Sequence, residues 1–272
     1  MVRLMTALWL ALASVALAGP EADTTIRLLQ LEGQMQVARE EALRHAETLN
    51  RDILGGQGGA LWTSQIDSIY DVVRMTEGAR PAIEAIETTT LERLNLFLGS
   101  DLGRQITDLE LAARIAMMDE DREEAARRAF ADLQGTDDPR LTAARAIIDA
   151  GDLVERNVST ALTASYQFYS ALVDGGAYQM TEEQILTEVW SQEETLRIDT
   201  EAWLMGYLML LVQPLDADDR ATYVAFAQTP EANALNAALF DGFGVVYSDL
   251  SYALGRVLAL NIKALGDDGP EL

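Results

Sequence analysis

Along most of the chain apolar residues return every three or four positions, and the alternating, β-branched runs expected of strands are missing. That pattern predicts helices throughout. Its clearest instance is Phe240, Phe243, Tyr247, Leu250, Leu254 and Val257, spaced three and four apart, which places all six side chains on one stripe of a helix expected to start at Pro230 and run past Lys263. At about 1.5–3 kcal/mol for each large apolar side chain fully buried, the stripe is read as core packing rather than as a ligand box. Trp203 to Leu215 is apolar all round, but it is interrupted by Gly206 and Gln213 and falls short of the roughly 20 residues that a membrane helix needs. It is read as a buried core helix.

Helix starts carry signals of their own. Thr89 with Glu92, and Thr181 with Gln184, fit capping boxes, in which the first side chain accepts from the backbone three residues on and the second reaches back. Asp138-Pro139 and Thr229-Pro230 each offer a capping oxygen followed by proline at the first helical position, where its missing N–H is not needed. Gly55-Gly56-Gln57-Gly58-Gly59 follows no predicted strand and has no lysine nearby, so it reads as a helix connection rather than a phosphate cradle. The polar stretch Gln134 to Asp138 is the candidate boundary between halves.

Comparing those halves shows a weak repeat with a period of about 129 residues. Leu94, Phe97, Ser100, Asp101, Gly103 and Ile106 in the first find counterparts in Tyr223, Phe226, Thr229, Pro230, Ala232 and Leu235 in the second. Both describe a short helix with an aromatic anchor, a break capped by Ser or Thr, and a longer helix. A looser match sets Trp62-Thr63-Ser64-Gln65 against Trp190-Ser191-Gln192. The expected architecture is all-α, a helical bundle built from two weakly repeated helical-hairpin units, the first over 19–137 and the second over 138–272. The break, Phe-x-x-Ser/Thr-Pro-x-Gly, resembles that of the bacterial domain of unknown function 2059 family, best over 181–260. The first copy has Asp101 at the proline position and the second has Ala232 at the glycine position. The resemblance implies an envelope-associated helical domain and carries no assigned catalytic residues.

Export is also expected from the start of the chain. Arg3, the apolar run Leu4 to Ala18 and the small-x-small site Ala16-Leu17-Ala18 make the three-part pattern of a cleavable secretory signal over residues 1–18, which places the remainder in the periplasm or outside the cell. No membrane span is expected after cleavage.

Composition narrows the chemistry. There is no cysteine, which excludes disulfides, thiolate catalysis and cysteine-ligated metals. The 44 acidic residues against 20 basic ones give a formal net charge of −24, a field that repels nucleic-acid phosphates, so no nucleic-acid partner is expected. His45 is the single histidine and lies in a polar helical segment, so a helix-surface role is expected and neither a zinc cluster nor a triad. The acids Asp119, Glu120, Asp121, Glu123 and Glu124, with Arg122, Arg127 and Arg128, fit helix-terminus charges and i to i+4 pairs. Asp216, Asp218 and Asp219 fit a helix start and lack the spacing of a calcium loop. No catalytic, cofactor-binding or metal-ligating residue is therefore assigned, and no cofactor is expected. The reading preferred on these grounds is a periplasmic protein-interaction or scaffold module binding an envelope protein or peptide. The alternative is a helical pocket protein for a small apolar ligand, or a carboxylate-dependent hydrolase, suggested by Trp203, Met205, Tyr207 and Met209 and by the many acids.

Overall fold

A computed structural model describes residues 19–267, and the predicted signal at residues 1–18 lies outside them. Among the described residues there are thirteen helices and no strand. They are α1 (Gly19–Leu28), α2 (Leu31–Asp52), α3 (Gly59–Ile69), α4 (Val72–Glu84), α5 (Thr88–Leu98), α6 (Asp101–Met117) and α7 (Glu120–Leu133) in the first half. The second half holds α8 (Pro139–Gly151), α9 (Leu153–Asp174), α10 (Glu182–Ser191), α11 (Glu193–Val212), α12 (Ala217–Ala227) and α13 (Pro230–Asp267). The all-α bundle expected from the periodicity is what the chain forms.

Most helix starts follow the side chains that announce them. Thr181 and Gln184 form both bonds of a capping box, and Asp138 accepts from the backbone N–H of Arg140 with Pro139 opening α8. Thr89 does not cap: α5 begins one residue earlier, at Thr88, and the flanking Glu87 makes no side-chain cap bond. Here the chain turns from extended to helical at Glu87, which carries Thr89 inside the first turn. Asp119 and Asp216 cap α7 and α12, and Glu123–Arg127 and Glu124–Arg128 pair at 2.8 and 2.6 Å. The glycine run joins α2 to α3, with Gly55, Gly56 and Gly59 at positive φ, a backbone region costly to any residue with a Cβ.

The helices repeat in order. α2 and α9 are both 22 residues long, and each is entered through a left-handed non-glycine residue, Gln30 and Asp152, both with φ 51° and ψ 40°. α5 and α12 are both 11 residues long. At the break that follows, Ser100 donates to the Phe97 carbonyl at 2.6 Å and accepts from the Gly103 N–H at 3.0 Å; Thr229 does the same with Phe226 at 2.7 Å and Ala232 at 3.1 Å. The rings of Phe97 and Phe226 stack on each other, centroids 3.7 Å apart and 7° from parallel. Trp62 and Trp190 are not equivalent: Trp62 is buried at the start of α3, whereas Trp190 is exposed at the end of α10. The spacing shifts within the fourth helix of each half, where α11 has 20 residues against 13 in α4, so one period cannot align both ends.

Packing crosses the boundary between halves. α6 lies on α11 of the second half, and α13 reciprocally lies on α4 of the first, as well as along α9. One core joins α6 and α7 to α8, α11 and α12 through Ile106, Phe130, Ile147, Met205 and Tyr223. Another joins α2, α3 and α4 to α9 and α13 through Met35, Trp62, Met75, Leu172 and Leu258. A third sets Leu235 and Ala238 of α13 among Ile83, Leu91 and Leu94. Trp203 to Val212 forms the apolar end of the central helix α11, with Met205, Leu208, Leu211 and Val212 buried, and the helix stops before Leu215, which is buried beyond its end. No described helix is long and apolar enough to cross a membrane.

Candidate functional site

The exchange of α6 and α13 leaves a cavity of about 580 Å³ where α2, α6, α9, α11 and α13 meet. Its lining reflects the repeat. Leu31 and Leu153 open α2 and α9, and Met35 and Asn157 follow one turn later on the same faces; all four line the cavity. Glu110 and Leu239 sit equally far along α6 and α13, as do Arg114 and Phe243, and these four line it too. The cavity thus lies between equivalent elements, but its two sides differ in chemistry. Acid and guanidinium on α6 face leucine and phenylalanine on α13.

On the α6 side, Glu110 and Arg114 are one helical turn apart, yet they do not pair. The guanidinium of Arg114 reaches Glu41 of α2 at 2.7 Å. The carboxyl Oε1 of Glu110 accepts from the Tyr223 hydroxyl at 2.9 Å, and the Tyr207 hydroxyl donates to the Glu110 carbonyl at 3.3 Å. Burial disfavours the carboxylate and pushes Glu110 up to about 7, with the Tyr223 hydrogen bond opposing it. Tyr207 and Tyr223 are both pushed well above the usual phenol range, first by burial and then by the Glu110 charge, so both stay neutral donors. Tyr247 of α13 is raised by burial as well.

The other walls are apolar and aromatic. Trp203 and Tyr207, one turn apart on α11, stack with centroids 5.2 Å apart at 14°. Phe240, Phe243 and Tyr247 project from α13, flanked by Asn236 and Ser251, while Ala161 and Ala164 keep the α9 wall low. The stripe from Phe240 to Val257 therefore has two roles. Its aromatic half, Phe240, Phe243 and Tyr247, lines the cavity with partly accessible rings, Phe243 also packing against core, while its far half packs as core, with Leu254 buried. The expectation that the whole stripe is core is corrected to that extent, because the aromatic end of α13 borders the cavity.

Glu110 and Arg114 are the residues that sequence reading missed. Their signal is an acid between Leu109 and Leu111 with a base one turn on, which looks like an ordinary surface pair. His45 is exposed on α2, away from the cavity, and the acids at 119–124 and 216–219 serve helix starts. A pair of free carboxylates, as glycoside hydrolysis uses, is not what the cavity presents: Glu41 is committed to Arg114. The cavity offers apolar volume, aromatic faces, and one half-buried carboxyl able to hold or lose a proton near neutrality.

No family model, no curated protein and no solved structure matches the chain.

Proposed function

We propose that this protein is an exported helical pocket protein that binds a small amphipathic molecule between α2, α6, α9, α11 and α13. The observation that carries the reading is the cavity itself, with stacked Trp203 and Tyr207 beside the Tyr223-held carboxyl of Glu110. Its volume falls within the roughly 300–1,000 Å³ typical of small-molecule sites, and a mostly apolar lining with a few convergent polar groups is what orients such ligands. Burying an acid without a counter-charge is costly, and cores are ordinarily spared it. The leader pattern at residues 1–18 and the resemblance of the Phe-x-x-Ser/Thr break to an envelope family support a periplasmic or secreted location.

The test is calorimetric titration with eight-carbon amphiphiles, followed by the same titration on Ala161→Phe, which fills the α9 wall. Saturable binding at one site, weakened at least about tenfold by the filled variant, is the expected result. Binding that is unsaturable, or indifferent to the filling, would count against the reading.

The interaction-module reading retains one observation. Leu186 and Trp190 are exposed one turn apart on α10, beside Glu182 and Glu183. Site-specific crosslinking from position 190 in envelope extract that captures no reproducible partner would remove it.

A further inference from the structure

The charges around the cavity do not cancel where it matters. Three charged side chains line it: Glu41 and Arg114, which neutralise each other at 2.7 Å, and Glu110. Among the described residues no cation pairs with Glu110, and its only side-chain hydrogen bond is from Tyr223 to Oε1. Arg156 of α9 is the nearby cation left over, but it is outside the lining, with its guanidinium carbon 5.7 Å from the centre of the Phe240 ring. The repeat adds a direction. Where α6 places Glu110 and Arg114, α13 places Leu239 and Phe243, so a ligand meets a polar end and an apolar end.

Resting on the pocket-protein reading above, we infer that the cavity takes a hydrophobic amine, its ammonium group on Glu110 and its apolar part against Trp203, Tyr207 and Phe243. An ammonium supplies the counter-charge that the protein withholds, through a charge-assisted hydrogen bond stronger than a neutral one. A ligand carboxylate would instead meet the like charge of Glu110, and an alcohol would gain no charge-assisted bond.

Binding is coupled to a proton. The groups facing Glu110 are Tyr207 from α11 and Tyr223 from α12, with Tyr247 from α13 and the Arg114–Glu41 pair beyond; the phenols stay neutral and Arg114 stays charged. Glu110 is left to titrate near neutrality, whereas an alkylamine stays protonated there as a lysine does. The ammonium holds the carboxyl ionised, so uptake below about pH 7 expels a proton from Glu110.

The experiment titrates n-octylamine, n-octanol and octanoate into the protein near pH 8 and near pH 6, in buffers of different ionisation heat. Octylamine is expected to bind at least about tenfold more tightly than octanol near pH 8, about 1.4 kcal/mol, with the margin shrinking near pH 6 as proton release appears in the buffer-dependent heat. Glu110→Gln should bring octylamine down to the level of octanol. Equal binding of octylamine and octanol to the parent protein, or tightest binding of octanoate, overturns the amine assignment and leaves the pocket reading standing. Saturable binding of none of the three overturns the pocket reading, and the assignment with it.

Discussion

Glu110 has a stability cost whose sign can be worked out. Its carboxyl titrates at about 7 in the folded protein against an ordinary 4.5, so the folded state holds the proton more tightly than the unfolded state does. Stability is therefore greatest below the unfolded value and falls as pH rises through the window from about 4.5 to about 7, by up to about 3 kcal/mol at 1.4 kcal/mol per unit. Glu110→Gln keeps the shape and removes the charge. It should melt several degrees above the parent near pH 8, at about 2–4 °C per kcal/mol for a chain of this size, and close to it near pH 4. A variant that is less stable near pH 8 would show that the carboxylate is stabilised by contacts other than those of Tyr223. None of this is visible in Leu109-Glu110-Leu111, because sequence spacing shows which residues share a helix face but not whether that face meets water or a cavity.

Single helices were more legible. The cap chemistry of Thr181, Asp138 and Thr229 is local, requiring only a side-chain oxygen within reach of backbone N–H groups two or three residues on, and all three open helices. Thr89 does not cap for a reason equally local, since the backbone turns helical at Glu87 and places Thr88, Thr89 and Thr90 all inside the first turn. What the stripe on α13 does not reveal is how closely that helix approaches its neighbours. A Cβ on Gly255 would lie 2.5 Å from the Phe168 carbonyl oxygen and 2.8 Å from the Ala171 methyl, while one on Gly244 would meet nothing within 4 Å. The two glycines on one helix make a matched pair. Gly255→Val should cost about 2–4 kcal/mol by forcing α13 off α9, and Gly244→Ala should add about 0.5–1 kcal/mol through helix propensity alone. Denaturant midpoints of the two variants check this, and equal shifts would mean that α13 and α9 yield easily where they cross.

At the scale of the whole molecule, the repeat and the exchange have different origins in the sequence. The Phe-x-x-Ser/Thr break was recognisable in both halves because turn chemistry is short-range, and the stacked Phe97 and Phe226 bring those two breaks together. The exchange of α6 and α13 left no sequence mark, since periodicity gives a helix its buried face without naming the helix that buries it. The physical consequence is that neither half keeps its core without the other: Ile106 and Ala113 of α6 are buried among second-half residues, and Leu235, Ala238 and Val246 of α13 among first-half ones. The connection at Gln134 to Asp138 carries little of this packing, with Gln134 to Asp137 exposed to solvent and Gly135, at positive φ, shaping the turn. Cutting a protease site placed there should therefore leave the halves together, eluting at the size of the uncut chain with unchanged helicity and a single unfolding transition, because interlocked cores unfold as one cooperative unit. Two pieces that separate under native conditions would mean that each half closes its own core, and the cavity between them would then have to form from surfaces that can part.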